Sequence, residues 1–189
     1  MDAAEKWATL SEEMTSTKEQ LATQKAAVLS FAQKALAKLE VASSEEQQFY
    51  ALPNAAFAAY HLERWDDGKT YAERALSLAD SFTDNWNLGN AVHTAHTIAG
   101  LLALRQGDRA AAVDALHASG TTPGSPQLNS FGPTMQLAIA LLEVGERHAV
   151  MSYLTQCSTF WKMGSASLAI WPRKIAAGEM PNFFNHRYG

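Results

Sequence analysis

Two histidines on one stretch of predicted helix are the residues of this chain whose type and spacing come nearest to a metal site. His93 and His96 are three positions apart, so both side chains can face one side of a helix and bind one ion. Such a site needs further ligands, and no His-Glu-x-x-His or nearby Glu-x-x-His pattern supplies them. Asn90 lies on the same side as His93. We therefore expect no bound metal or cofactor, and we interpret these side chains as a polar ridge facing a groove or a neighbouring helix.

The single cysteine is a candidate nucleophile. Cys157 and one of the six histidines could form a nucleophile and base, since such pairs meet in space rather than in sequence. The sequence neighbours of the cysteine are apolar: Tyr153, Leu154, Phe160 and Trp161. Burial raises the pKa of a thiol and suppresses its reactivity. We therefore predict an inert, buried thiol and no catalytic residues.

The segment 120–133, GTTPGSPQLNSFGP, is the one long stretch predicted to be irregular. Its polar side chains that could bind a ligand are Ser125, Gln127, Asn129 and Ser130. A helix starting near Pro133 would point its N-terminus at them, where an anionic group could be held. Because an irregular backbone must find hydrogen-bond partners, we favour the alternative that they bond the loop's own amides. Leu128 and Phe131 predict that the loop is ordered and packed on the core.

Two predicted helices joined by a tight turn position the histidines. Between Trp86 and Ser119, apolar and small residues recur at spacings of three and four, which gives each helix one apolar stripe. Gly107 can end the first helix in the left-handed conformation, and Asp108 can cap the second. Because two such helices cannot bury their stripes against each other alone, we expect further helical hairpins to stack on them.

Residues 1–42 have the composition of a long amphipathic helix or a pair of helices. Their apolar residues follow a broken heptad that includes Val28, Phe31 and Ala35. Ser16 and Glu19 have the spacing of a capping box, which favours a break near residues 14–16. The stripe could also pair with a second copy of itself and form a homodimer. We divide the chain into this N-terminal segment and a helical repeat domain of residues 43–189.

The rest of the chain repeats the helical pattern. A helix is expected to start after Ser44, and Pro53 predicts either a kink or the start of a new helix. A third hairpin is predicted about Gly145. The tail is rich in aromatic residues, Phe160, Trp161, Trp171, Phe183, Phe184 and Tyr188. We expect these aromatic side chains to close the open end of the helical stack.

Three segments, ERWDDGKTYAERAL, RQGDRAAAVDALHAS and EVGERHAVMSYLTQC, share a charged turn with Gly followed by small residues. They resemble the tetratricopeptide repeat. Trp65 takes the aromatic position of the family's turn, which Arg109 and Arg147 occupy in the other two segments. Successive turns lie about 40 residues apart, compared with about 34 in the family. The resemblance implies an all-α fold of antiparallel helical hairpins, stacked in a right-handed array behind a long N-terminal helix.

The chain resembles a group of uncharacterised bacterial tetratricopeptide-like proteins more closely, over about residues 50–184. The segments that carry this resemblance are WNLGNAVH, ALRQGD, TPGSPQLNSFGP, GERHAV and CSTFWKM. It implies no activity, cofactor or catalytic residue. In tetratricopeptide arrays the first helix of each hairpin lines the inner face, where this chain would present Tyr60, His61, Trp86 and Asn90. Such aromatic and amide side chains suit an extended peptide. For Asn90 and His93 binding and core roles both stay open, whereas Phe57 favours the core.

Composition limits the classes of function. With 189 residues, 47% hydrophobic and 18% charged, the chain is long enough and apolar enough to bury a core. A net charge of −4 without a basic stripe argues against nucleic-acid binding. No apolar run is long enough to span a bilayer. The acidic N-terminus lacks the apolar core of a signal peptide, so we predict a cytoplasmic protein, although a chain whose export signal had been removed would look the same.

Two functions are compatible with this pattern. We favour a non-enzymatic adaptor or scaffold whose inner face binds a peptide or protein partner, because repeat architecture is present without a catalytic constellation. The alternative is a small enzyme or small-molecule binder with a pocket between the 86–106 helix and the 120–133 loop. His93, His96, Trp86, Ser125 and Asn129 would line that pocket.

Overall fold

The computed structural model describes Lys6, Thr9 and residues 18–188. Within this part of the chain there are nine α-helices and no β-strand, which confirms the all-α prediction. The helices are α1 Lys18–Glu40, α2 Glu45–His61, α3 Trp65–Ala79, α4 Leu88–Arg105, α5 Arg109–Gly120, α6 Pro126–Phe131, α7 Gln136–Glu143, α8 Arg147–Phe160 and α9 Ser165–Ala176. Short 3₁₀ turns lie at Lys162–Gly164 and Phe184–His186. The predicted break near residues 14–16 lies outside the described residues.

Three pairs of helices, α2–α3, α4–α5 and α7–α8, are each joined by a tight turn that contains a residue with positive φ. These residues are Glu63 (φ 59°), Gly107 (φ 83°) and Gly145 (φ 92°). A Cβ added at either glycine would have no neighbouring atom within 4 Å, so close packing does not require glycine there. The positive φ does. Asp108 caps α5 as predicted, because its Oδ1 accepts a hydrogen bond from the Ala111 amide at 2.9 Å.

Small residues let the first helices of these pairs approach one another. Ala55, Ala56, Ala58 and Ala59 of α2 are fully buried between α1 and the following helices. Where α4 crosses α7, a Cβ added at Gly100 would lie 2.3 Å from a methyl carbon of Leu137. Ala32, Ala35 and Leu36 form a second small core where α1 packs on α2. The apolar stripe of the N-terminal helix is thus partly used within the chain.

The structure decides between the alternatives at Pro53 and corrects two predictions for the segment 120–133. Helix α2 runs continuously through the buried Pro53 and is capped by Ser44, so no new helix begins at the proline. The segment 120–133 is not irregular throughout, because its middle forms α6. Ser125 caps α6 and Pro126 occupies its first turn, which is the arrangement that favours a helix start. The predicted burial of Phe131 is wrong, since 76% of its surface is exposed, whereas Leu128 is buried.

The C-terminal tail turns back over the helical layer. Phe183 of this tail is buried, together with Trp161 and Trp171. The Met135 amide donates to the His186 carbonyl at 2.6 Å, which fixes the tail to the start of α7. Further along, the Tyr188 ring lies 5.5 Å from the His61 ring of α2. The tail therefore reaches both the third and the first helix pair.

None of the helices in the described residues combines the length and the apolar character needed to cross a membrane.

Candidate functional site

A large cavity of about 1020 Å³ lies between elements that are distant in sequence. One wall is formed by α4 together with α6 and Gly132, and we call it the α4–α6 wall. A second wall is formed by α1 together with residues 184–186 and Tyr188, and we call it the α1–tail wall. The segment after α8, with Trp161 and Met163, also lines the cavity, as do Asn54 and Phe57 of α2. A cavity of this size can hold a peptide segment or a drug-sized ligand.

The lining of the cavity is aromatic and polar, and none of the described side chains that line it is an Asp, Glu, Lys or Arg. At its rim, Phe31 is 44% exposed, Phe131 is 76% exposed and Met163 is 73% exposed. The polar lining side chains are amides, hydroxyls and imidazoles: Gln24, Asn54, Asn90, His93, Thr94, Gln127, Ser130, Thr134, Ser167, Asn185 and His186. A tyrosine hydroxyl at position 188 adds to them. Such a surface suits an uncharged ligand that offers apolar area and hydrogen bonds.

The α4–α6 wall is held by a network of hydrogen bonds centred on Asn90. The Ser125 hydroxyl donates to Asn90 Oδ1 at 2.6 Å. Asn90 Nδ2 donates to Asn87 Oδ1 at 2.9 Å and to Gln127 Oε1 at 3.1 Å. Both amide hydrogens of Asn90 are therefore used inside the protein. Through these hydrogen bonds Asn90 holds the segment 120–133 to α4.

A close backbone approach supports the same wall. A Cβ added at Gly89 would lie 1.9 Å from the Gly124 carbonyl oxygen, so only glycine fits at this point of α4. The Thr122 hydroxyl donates to the Gly89 carbonyl at 3.1 Å and fastens the same contact. The position of the loop is thus set by backbone contact as well as by side chains.

His93 lies deep in the α4–α6 wall and is 2% exposed. Its Nδ1 is 3.2 Å from the Ser119 carbonyl oxygen. Because a carbonyl can only accept, Nδ1 carries the proton and Nε2 is left with a lone pair. Nε2 is buried and has no hydrogen-bond partner among the described residues. Burial, more than the nearby His96, lowers the pKa of His93 to about 4, so the ring is neutral near pH 7.

Gln24 of the α1–tail wall carries a second buried acceptor without a partner. Its Nε2 donates to the Phe184 carbonyl at 3.1 Å and so joins α1 to the tail. This bond assigns the amide orientation and leaves Oε1 as the acceptor. Oε1 is buried and finds no donor within the described part of the chain.

The other residues proposed from the sequence lie at different places. Tyr60 and His61 line a separate cavity of about 300 Å³, where Gln136 Nε2 lies 2.8 Å from His61 Nε2. Trp86 is 53% exposed and its ring packs 5.8 Å from that of Tyr50, away from the large cavity.

His96 and Asn129 do not line the large cavity either. His96 is half-buried, and burial lowers its pKa. Asn129 Oδ1 accepts from the Lys162 amide at 3.1 Å, so it secures α6 to the 3₁₀ turn. The structure thus brings Asn90, His93 and Gln127 to one cavity, with Ser125 bonded behind them, and leaves the remaining candidates elsewhere.

Cys157 is buried, as expected. Burial raises the pKa of its thiol to about 12, so it is protonated near neutral pH. Tyr153 beside it is also fully buried. Nowhere in the described chain do three or more His, Cys, Asp or Glu side chains cluster as a metal site would require.

Several cavity residues were not predicted from the sequence. Gln24, Phe31, Trp161, Met163 and Phe184 come from the two ends of the described chain. The sequence pattern places Phe31 on the heptad stripe and Phe184 in the aromatic tail. Helical periodicity shows only that one face is apolar, and it does not show which distant segment that face will meet.

The chain matches no protein-family model, and comparison with curated proteins and with solved structures likewise finds no significant match.

Proposed function

We propose that this protein is a non-enzymatic adaptor or scaffold that binds an extended peptide segment of a partner protein in the large cavity. The observation that carries this proposal is an uncharged cavity of about 1020 Å³ with exposed apolar side chains around its rim. We also propose that the helix pairs form a tetratricopeptide-like right-handed array. The packing of α2 beside α4, and of α4 beside α7, supports that assignment.

The rim would provide most of the affinity. Burying a side chain such as Phe131 contributes about 1.5–3 kcal/mol, whereas a hydrogen bond contributes about 1 kcal/mol net. Phe31, Phe131 and Met163 are partly exposed without a ligand, so a bound segment would bury apolar area at three places. Asn54 and Thr94, which also line the cavity, can bond the backbone of an extended segment. We infer a ligand segment that alternates apolar and uncharged polar residues.

A second candidate is a binder of, or an enzyme acting on, a small neutral molecule. The observation in its favour is that the cavity lies between α4 and residues 127–132 and is also walled by α1 and the tail. Enclosure from several sides suits a compact ligand better than a long one.

The test is selection of binders from a displayed library of random peptides against the purified full chain, followed by affinity measurement on two matched variants. Phe131→Ser and Trp86→Ser each remove one exposed aromatic side chain, but only Phe131 lines the cavity. We expect Phe131→Ser to weaken binding about 30-fold, the equivalent of about 2 kcal/mol. Trp86→Ser should leave it within about threefold.

The proposal fails if no peptide is selected, or if the two substitutions weaken binding equally. Binding of small neutral compounds without any peptide binding would favour the second candidate. Sedimentation of the full chain would separately show whether it forms the homodimer predicted from its N-terminal helix.

A further inference from the structure

We propose that the cavity of about 300 Å³ lined by Tyr60 and His61, here called the small cavity, binds a carboxylate of the ligand that fills the large cavity. Lys25 and Arg187 are the cationic groups that would hold this carboxylate. The inference rests on the proposed function only in taking the large cavity as a binding site. It adds the chemistry of one end of the ligand, an anionic group beside the uncharged part.

The small cavity adjoins the large one. Tyr188 lines both cavities. On α2, Phe57 lines the large cavity and His61 lines the small one, and their rings are 4.4 Å apart. On α1, the neighbours Gln24 and Lys25 line the large and the small cavity respectively. One ligand can therefore reach both cavities.

Two cationic side chains of the small cavity are available to a ligand. Neither Lys25 nor Arg187 forms a salt bridge within the described part of the chain. Lys25 is exposed, and in the Arg187 guanidinium only Nε is a buried atom without a hydrogen-bond partner. The Nη atoms of Arg187 make no hydrogen bond with the described residues and are not enclosed. Both positive charges can therefore be approached.

The charge of Lys25 acts on the small cavity. Burial lowers the pKa of His61 below 6.5, the hydrogen bond with Gln136 opposes this shift, and the Lys25 ammonium group lowers the pKa further. Such an electrostatic effect falls with distance, so the ammonium group lies near the His61 ring. Because its pKa is lowered, His61 is neutral near pH 7 and serves as a reporter of charge in the cavity.

Positive charge outweighs negative charge around the small cavity. Among the described lining residues the one carboxylate is that of Glu63, in the turn between α2 and α3. A third cation lies against the aromatic lining, since the Arg105 guanidinium is 4.0 Å from the centre of the Trp65 ring. The large cavity, in contrast, has no charged side chain in its described lining. An anionic group is therefore attracted to the small cavity and not to the large one.

A carboxylate is the anion that an unmodified peptide carries, and ammonium and guanidinium groups bind it by charge-assisted hydrogen bonds. Phe57 and His61 are four residues apart, which is about 6 Å along α2. This distance corresponds to about two residues of an extended chain. We therefore expect an Asp or Glu side chain, or the C-terminus of the ligand, about two residues from an apolar side chain held in the large cavity.

The first arm of the test measures the subsite alone on the full chain. Benzoate, benzamide and benzylammonium each carry one ring and differ in charge. Binding is followed through the ring ¹⁵N signals of His61. We expect benzoate to shift these signals, to raise the pKa of His61 because a nearby anion favours the charged ring, and to bind about tenfold more tightly than the other two probes.

Matched substitutions at exposed positions identify the groups responsible. Lys25→Gln removes a cation of the small cavity, whereas Lys34→Gln removes an exposed lysine of the same helix that lines neither cavity. We expect benzoate affinity to fall about fivefold in Lys25→Gln and to stay unchanged in Lys34→Gln. Glu63→Gln removes the opposing carboxylate and should raise the affinity about twofold.

The second arm uses the peptides selected against the full chain. Each is made in one version with its acidic side chains replaced by amides and in another with its C-terminus amidated, so that the bound carboxylate is identified. We expect one of these changes to weaken binding about fivefold to the unsubstituted protein and less than twofold to Lys25→Gln.

The inference is overturned if benzamide or benzylammonium binds as tightly as benzoate, if Lys25→Gln and Lys34→Gln have equal effects, or if benzoate leaves the His61 signals unchanged up to its solubility limit. Selected peptides whose affinity depends on neither carboxylate would also overturn it and would leave the proposed function intact. Benzoate binding without any selected peptide would support the carboxylate subsite and count against the peptide-binding function.

Discussion

The two walls of the cavity are built in different ways. The α4–α6 wall is fixed by the Ser125–Asn90–Gln127 hydrogen bonds and by backbone contact between Gly89 and Gly124. In the α1–tail wall, α1 is joined to the tail through the Gln24–Phe184 hydrogen bond, and the tail itself is held to α7 by the Met135–His186 backbone bond and to α2 by the His61–Tyr188 ring contact. A close contact between two backbones resists displacement, whereas a single part-buried side-chain hydrogen bond is easily exchanged for water. We infer that a ligand meets one rigid wall and one adaptable wall.

The largest effect on stability is expected from a substitution at the backbone contact in the α4–α6 wall, the rigid wall of the cavity. Gly89→Ala would place a methyl group 1.9 Å from the Gly124 carbonyl oxygen, so α4 and the loop must separate. We expect the free energy of unfolding to fall by about 3 kcal/mol. The control is Gly68→Ala, another helical glycine, where the nearest contact of an added Cβ is an ordinary 3.5 Å.

Gly68→Ala should raise the free energy of unfolding by about 0.5 kcal/mol, because alanine is the better helix former. Urea denaturation measures both values. Equal effects of the two substitutions would show that the Gly89–Gly124 contact does not hold the wall.

The next effect is the pH dependence of stability that arises from the buried His93 and the half-buried His186. His93 in the rigid wall and His186 in the tail each have a pKa lowered to about 4, mainly by burial. A histidine in the unfolded chain has a pKa near 6.5, so the unfolded state binds protons more readily as the pH falls below that value. Stability is therefore complete above about pH 6.5 and is lost progressively towards pH 4. His93 alone should account for about 2 kcal/mol of loss by pH 5.

Urea denaturation at pH 7 and pH 5 measures this loss. His93→Asn should reduce the difference between the two pH values by about 2 kcal/mol relative to the unsubstituted protein. An unchanged difference would show that His93 titrates normally and is not held neutral in the wall.

A smaller effect is expected from the hydroxyl that links the cap of α6 to Asn90. Ser125→Ala removes both the acceptor for the Leu128 amide and the donor to Asn90 Oδ1. We expect a loss of about 1.5 kcal/mol in the free energy of unfolding. Ser130→Ala, on the same helix and exposed, should change it by less than about 0.5 kcal/mol. Calorimetry of the two variants shows whether the Ser125 hydroxyl stabilises the fold more than the exposed Ser130 hydroxyl does.

The smallest effect on stability concerns the adaptable wall. Gln24→Ala removes the bond to the Phe184 carbonyl and should cost at most about 1 kcal/mol. Hydrogen exchange of residues 181–188 should become faster, while that of α4 and α6 stays unchanged. The control is Gln33→Ala, on an exposed part of the same helix. Faster exchange in both walls would mean that they open as one unit.

The sequence predicts the parts of this molecule that depend on near neighbours. Gly107 and Asp108 are adjacent, and the turn and cap they form follow from backbone conformation and one short hydrogen bond. The Ser125–Asn90 bond joins residues 35 apart, so each was recognised as polar but not as the partner of the other.

The adaptable wall could not be predicted from local patterns. Phe31 lies on a helical stripe that is equally suited to another helix or to a cavity. The sequence predicts burial of Phe131, but this residue ends α6 and lines the cavity with 76% of its surface exposed, whereas Leu128 one turn earlier is buried. The return of the tail to α1 depends on the packing of Trp161, Trp171 and Phe183, which only the assembled fold defines.

The most direct test of the central claim is chemical-shift mapping of the ¹⁵N-labelled full chain with a selected peptide. We predict that the perturbed amides lie in both walls, at residues 24–31, 90–94, 127–134 and 184–188, with the larger shifts in the α1–tail wall. Shifts centred on Trp86 and Tyr50, or on α5 and α8, would contradict the account and place the binding surface elsewhere.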